Sequence, residues 1–150
     1  MRKITNRKFS REYQDIERYE AGISLLGCEV KSIREGNIRL EEAFVKFIGG
    51  DLCLVNAEIP LYHFAPPQGY ESRRSRRLLM HKSELLRIAT KLRGSSGLTV
   101  VPVSCYNKGP HIKLEIALAR GRRDVEKRKY DKEKDVERNE KREAKEWMRE

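Results

Sequence analysis

The sequence predicts a mainly β protein: a small closed barrel interrupted by helices and followed by a charged tail. Three observations predict it. Short apolar runs alternate with period two and are joined by turn-forming residues, only two stretches carry apolar residues at helical spacing, and the composition breaks sharply at residue 120.

Each element has its own signature. An extended stretch over 13–26 supplies the first strand or bent pair, with Ala21-Gly22 as the expected kink. Over 38–48, Ile38, Leu40, Ala43-Phe44-Val45 and Phe47-Ile48 lead into the turn Gly49-Gly50-Asp51, after which Leu52, Leu54 and Ala57 resume the alternation as a hairpin partner. A second hairpin joins 98–106 to 112–118 through Asn107-Lys108-Gly109-Pro110, and Ile112, Leu114, Ile116 and Leu118 fall on one face. Pro102 cannot donate to a ladder, which demotes its strand to an edge or marks a bulge. Residues 28–36 read as a helix with Val30 and Ile33 on one side and Gly36 as its stop. A second helix begins near His81, with Ser83 as a candidate N-cap and Leu85, Ile88 and Leu92 at helical spacing. Five or six short strands with two inserted helices match the oligonucleotide-binding (OB) type of barrel better than any other common architecture of this size.

The chain has 150 residues, a length for one domain. Residues 120–150 hold 13 Lys or Arg and 10 Asp or Glu but few apolar side chains. Such a segment buries too little area to offset its ordering entropy, so the chain divides into a globular domain, 1–119, and a charged tail, 120–150, that does not fold by itself. The net charge of +10 and a pI near 9.7 point to a polyanionic partner. No apolar run is long enough for a membrane span and no secretory leader is visible, so a cytoplasmic protein is expected. Cys28, Cys53 and Cys105, odd in number and widely spaced, argue against a disulfide framework or a zinc site and read as buried free thiols.

Catalytic signatures are missing. His63, His81 and His111 stand in unrelated segments, and no nucleophile elbow, metal box or phosphate-cradling glycine loop is present, so neither an enzyme nor a cofactor is expected. Basic clusters with aromatic neighbours are present instead: Arg2-Lys3, Arg7-Lys8-Phe9 and Arg11 at the start, and Arg73-Arg74-Ser75-Arg76-Arg77 after Tyr70. Arginines bind phosphates and Phe9, Tyr62 and Tyr70 are candidates for stacking on bases, although a solvated basic loop would have the same composition. On residue type alone, Glu20 reads as a strand-edge ion pair and Leu79 as core. A site of dispersed residues acting on RNA, or a general single-strand-binding or ribosomal OB protein, stands as the alternative to a non-catalytic partner of one particular polyanion.

Several blocks resemble the small protein B, or SsrA-binding protein, family of bacterial trans-translation: Asn6-Arg7-Lys8, Tyr19-Glu20-Ala21-Gly22-Ile23, 27–36 (GCEVKSIREG), 74–80 (RSRRLLM) and Ala119-Arg120-Gly121-Arg122-Arg123. The resemblance covers almost the whole chain and implies that family's OB barrel with inserted helices and a tail. It also implies an RNA-binding adaptor, a monomer, that binds the tRNA-like part of transfer-messenger RNA and brings it to stalled ribosomes. Elongation factor Tu and alanyl-tRNA synthetase would be engaged indirectly, through the RNA. It makes Glu20 and Leu79 RNA-facing, with Asn6, Arg7, Lys8, Arg74, Arg76 and Arg77 as further contacts. It sends the tail into the empty mRNA channel at the decoding centre, with Arg120, Gly121, Arg122, Arg123, Glu126, Lys127 and Arg128 on the ribosome; Glu126 stands where the family has Asp. The acid-first pairs Asp124/Arg128 and Glu137/Lys141 favour helix there.

Overall fold

Both hairpins form, and glycines turn them. Gly49 and Gly50 (φ 60° and 87°) join β3, Phe44–Ile48, to β4, Asp51–Val55, while Gly109 (φ 61°) joins β6, Leu98–Lys108, to β7, His111–Gly121. These dihedrals lie in the left-handed region that costs glycine least. The computed structural model describes residues 1–66 and 68–149; Pro67 and Glu150 lie outside the described residues. The remaining elements are β1, Ile4–Thr5; α1, Phe9–Glu12; β2, Tyr13–Ile23; α2, Gly27–Arg34; β5, Arg76–Leu79; α3, Lys82–Gly94; and α4, Asp124–Arg149.

All pairings are antiparallel. β3, β4, β5, β2, β7 and β6 follow one another around a ring, and β6 closes it onto β3 through Val45 opposite Val100. β1 adds to β6 beyond that point, with Ile4 opposite Cys105. The ring is therefore a six-stranded barrel with an irregular seam, since one edge of β6 is shared between β1 and β3. The expected mainly β barrel with inserted helices is what forms.

Local differences from the sequence reading have physical causes. The 38–48 strand is shorter than its pattern: Ile38 and Leu40 are buried, but only Arg39 makes a bridge, to Glu58, before β3 begins at Phe44. β2 does not break at Ala21-Gly22; its register shifts between Asp15 and Glu17. Gly22 is instead where β2 has partners on both sides, Lys113 of β7 and Leu79 of β5. A Cβ there would lie 3.2 Å from the Leu79 Cβ, so the glycine permits the close crossing. Pro102 does mark a bulge, with a shift between Pro102 and Ser104. α3 is capped at His81, whose backbone N–H donates to Glu84 (3.3 Å), and not at Ser83. Gly36 (φ 88°) ends α2, its N–H bonding to the Ile33 carbonyl at 2.8 Å.

The barrel interior is filled by Leu40, Leu52, Leu54, Leu114, Ile116 and Leu118, and α2 and α3 contribute Ile33 and Ile88 to the same core. A second, smaller cluster covers the outer side of β6 and β7, where Phe9 packs on Val101, Val103, Ala117 and Ala119. Phe9 is thus a core residue and not a stacking surface, because α1 lays it over a strand pair that is apolar on both faces. Cys53 and Cys105 are buried and Cys28 is half-buried; all three are free thiols. Among the described residues no helix is long and apolar enough to cross a membrane.

β7 runs past the compositional break: Arg120 pairs with Leu98 and Gly121 with Tyr13. The first two residues of the charged stretch thus complete the ladders of the last strand. From Asp124 the tail is already one helix with no buried residue. A 26-residue helix is long enough to spread its nucleation cost, and its charged residues are good helix formers. Ion pairs also hold its start against α1.

Candidate nucleic-acid interface

The ladder around Gly22 places side chains from four strands on one outer face. Leu79, Gly22, Lys113 and Tyr106 lie opposite one another across β5, β2, β7 and β6, and directly opposite residues of an antiparallel pair point the same way. Glu20, two residues before Gly22 on β2, shares that face. Leu78 is buried whereas Leu79 is 51% exposed, so the core reading of Leu79 does not hold. A cleft of about 390 Å³ opens beside it, lined by Gly22, Val30, Leu79, Pro110, Ile112 and Lys113.

Glu20 does not stand alone. The Tyr106 hydroxyl donates to one carboxylate oxygen and Lys108 Nζ lies 2.9 Å from the other. The Tyr106 hydrogen bond first, and then Lys108, hold the carboxyl below the usual carboxylate range. Burial first, and then its bond to Glu20, push the Tyr106 phenol up to about 12. Lys3 Nζ sits 5.6 Å over the Tyr106 ring. The patch therefore presents an ionised acceptor, an exposed leucine and three lysines: an acceptor for base amino groups, an apolar contact and cations for phosphates. Lys3, Tyr106, Lys108 and Lys113 were not singled out from the sequence as members of this patch. Alternation over 112–118 puts Lys113 on the face opposite Ile112 and Leu114, but only the register aligns Lys113, Tyr106 and Lys108 with Glu20.

The arginine run divides. Arg76 is completely buried: Nε donates to Glu29 (2.6 Å), and the guanidinium also donates to the carbonyls of Ala57, Arg74 and Ser72 at 3.0 Å each. Arg74 grips the same carboxylate, which also accepts the Leu26 N–H at 2.8 Å. Burial pushes the Glu29 carboxyl up, but Arg74, the Leu26 N–H and Arg76 outweigh it and leave it below the usual range. Arg76 therefore cannot reach a phosphate; its charge neutralises Glu29 inside the protein, and Arg74 is partly committed to the same carboxylate. Tyr70 is likewise turned inward, its hydroxyl donating to the Ile59 carbonyl at 2.6 Å. Only Arg77, 3.4 Å from Asp51, and Arg73 keep well-exposed guanidiniums.

The amino-terminal block divides as well. Asn6 is buried; its Nδ2 donates to the Pro102 carbonyl (2.9 Å) and its Oδ1 accepts the Lys8 N–H (3.1 Å), so it builds the turn instead of touching a ligand. Lys8 is exposed and pairs with Glu42 at 2.8 Å. Arg7 lines a groove of about 840 Å³ with Arg2, Arg39 and Arg73, where Glu42 and Glu58 offset part of the charge.

At the tail, Arg123 is exposed beside Glu126 at 3.0 Å. Arg122 turns back, donating to the Tyr13 carbonyl at 3.2 Å and lying 5.5 Å over the Tyr130 ring. Arg11 binds Asp131 at 3.0 Å and Glu12 binds Lys127 at 2.8 Å, which fixes the first turns of α4 to α1. Arg120, Gly121 and Arg128 are not part of these docking pairs, and of the expected helical pairs Glu137–Lys141 forms, at 3.1 Å. Trp147 and Met148 remain exposed near the end. Among the described residues no group of three or more His, Cys, Asp or Glu is arranged to hold a metal ion.

Comparisons with known proteins bear on the whole chain. The family model described as SmpB protein matches residues 3–146. An SsrA-binding protein of Deinococcus radiodurans is 45% identical over 137 residues, 91% of this chain and 95% of that protein. One from a Sulfurihydrogenibium species is 45% identical over 134 residues, 89% and 88% of the two chains. A solved structure described as "tmRNA-SmpB: a journey to the center of the bacterial ribosome" superposes with a TM-score of 0.67 at 38% identity, covering 81% of this chain and 85% of that one.

Proposed function

The chain belongs to the SmpB family, and from that premise we propose that it is the RNA-binding adaptor of trans-translation, carrying transfer-messenger RNA to stalled ribosomes. The observation that supports this most is the outer face on which Glu20 and Leu79, from different strands, meet with Tyr106, Lys108 and Lys113. The tRNA-like part of the RNA lies on that face, with Arg77, Arg7 and Lys8 as further phosphate contacts and Arg74 available through its exposed edge. Glu20 has two roles: it accepts from base amino groups and it holds Lys108 in place.

The protein works in the cytoplasm as a monomer and has no catalytic centre of its own. Elongation factor Tu and alanyl-tRNA synthetase meet it through the RNA. The helical tail enters the empty mRNA channel beside the decoding centre, and Arg120 and Gly121 at the end of β7, with Arg122, Arg123, Glu126, Lys127 and Arg128, contact the ribosome. Arg122 and Lys127 first leave their partners on the barrel. The test is capture of RNA on the full chain followed by sequencing. Strong enrichment of one stable RNA with tRNA-like ends over tRNA and mRNA supports the reading. Uniform binding of unstructured strands, or metal-dependent cleavage of the captured RNA, would overturn it.

A further inference from the structure

The loop between β4 and β5 carries three adjacent aromatic rings outside the face described above, with His63 and Phe64 exposed and Tyr62 half-buried. Tyr62, His63 and Phe64 have ring centroids 4.7, 5.6 and 4.1 Å apart, and Phe64 is 78% exposed. Single exposed apolar side chains are ordinary, but a cluster of rings held in solvent needs a reason. The backbone beneath them is tied down: Ser32 Oγ of α2 donates to the Pro60 carbonyl at 2.7 Å, Ile59 is buried, and the Ala65 N–H closes a turn onto the Tyr62 carbonyl at 2.9 Å. The loop thus pays its ordering cost within the protein, before any ligand arrives.

The electrostatics favour a nucleic-acid occupant. Lys31 Nζ lies 5.5 Å over the Tyr62 ring, and Arg34, on the same helix, reaches the Pro110 carbonyl (3.3 Å). Glu35 is the acidic neighbour, 3.7 Å from His63 Nδ1, and leaves Phe64 uncovered. The position is also continuous with the Leu79 face, because Val30 lines the Leu79 cleft and the next residue, Lys31, covers Tyr62.

We infer that Tyr62, His63 and Phe64 form a second RNA contact, a platform on which an unpaired base stacks while Lys31 and Arg34 meet the flanking phosphates. The inference rests on the adaptor reading, in which the protein meets both transfer-messenger RNA and the ribosome. Aromatic rings stack on any base, whereas cations beside them select a strand with a phosphate backbone. The base belongs either to transfer-messenger RNA or to ribosomal RNA.

The test compares full-length wild type with Phe64→Ala, Phe64→Trp, Lys31→Ala and Leu79→Ala, measuring affinity for transfer-messenger RNA against salt and, separately, for small ribosomal subunits. Phe64→Ala should weaken one of these by about 5- to 150-fold, the range of one lost stack, without moving the melting temperature. It should leave the slope of log affinity against log salt unchanged, and Lys31→Ala should reduce that slope by about one phosphate contact. Phe64→Trp should retain affinity, and its fluorescence, read in a Trp147→Phe background, should be quenched on binding. The arm that responds identifies the source of the base. If Phe64→Ala binds both targets as wild type does, the platform is not an RNA contact and the inference fails, even where Leu79→Ala still weakens binding. If wild type shows no preference for transfer-messenger RNA, the adaptor reading fails instead.

Discussion

Arg76 gives the sharpest separation between a folding residue and a binding residue. In Arg76→Met the apolar stem is kept and the guanidinium is lost. Glu29, whose side chain is 0% exposed, then retains only Arg74 and the Leu26 N–H, and the carbonyls of Ala57, Arg74 and Ser72 each lose the guanidinium donor, Ser72 keeping the Ile59 N–H. Removing one partner of a buried ion pair costs about 3 to 5 kcal/mol, chiefly because the other charge is left uncompensated. For a chain of this size that corresponds to a fall in Tm of roughly 6 to 20 °C. Arg77→Ala, at an exposed pair with Asp51, should cost no more than about 1 kcal/mol. Urea denaturation followed by circular dichroism measures both. The folded pKa of Glu29 is depressed, so its contribution is present above the ordinary carboxylate value of 4.5 and is lost as pH falls through the lower folded value. The stability of Glu29→Gln should therefore vary less with pH below about 4.5 than that of wild type. If Arg76→Met melts within about 1 kcal/mol of wild type and instead flattens the salt dependence of RNA binding, Arg76 is a phosphate contact and the buried-pair account is wrong.

Leu79→Ala should cost less than about 1 kcal/mol, against the 2 to 5 of a core leucine, while weakening transfer-messenger RNA in a gel-shift titration; a core-sized loss would refute its surface role. Glu20→Gln removes the charge that holds Lys108, so RNA affinity should fall with little change in Tm, and equal affinity for Gln would exclude the ionised carboxylate as the acceptor. Truncation after Arg123 removes a helix with no buried residue, so barrel stability and RNA binding should survive while tagging of stalled chains is lost; tagging at the full rate would break the division of labour. Asp131→Asn should lower the far-UV helical signal of the full chain, because its bond to Arg11 fixes the start of α4 to α1, and an unchanged spectrum would show that the helix needs no docking.

By itself the sequence determined both hairpins, β2, α2 and α3, because their signals are carried by neighbouring residues, while the short β1, α1 and β5 carried no such signal. Gly49-Gly50 and Gly109 mark the hairpins, alternation over 112–118 marks β7, helical spacing from Leu85 to Leu92 marks α3, and the motif blocks identified the family. The tertiary structure alone decided which charged and polar residues are available to a partner. Arg74, Arg76 and Arg77 look alike in sequence, yet Glu29 on a distant helix buries Arg76, engages Arg74 and leaves Arg77 outside. Asn6 and Phe9 were drawn inward by Pro102 and by the apolar outer face of β6 and β7. Leu79 went outward because β5 alternates and Leu78 took the core position. The Glu20 patch likewise depends on the register of β2, β7 and β6, and the ordered start of α4 on Arg11 and Glu12. Such pairings are set by long-range contacts between residues far apart in the chain, and a one-dimensional pattern contains the period of a strand but not its partner.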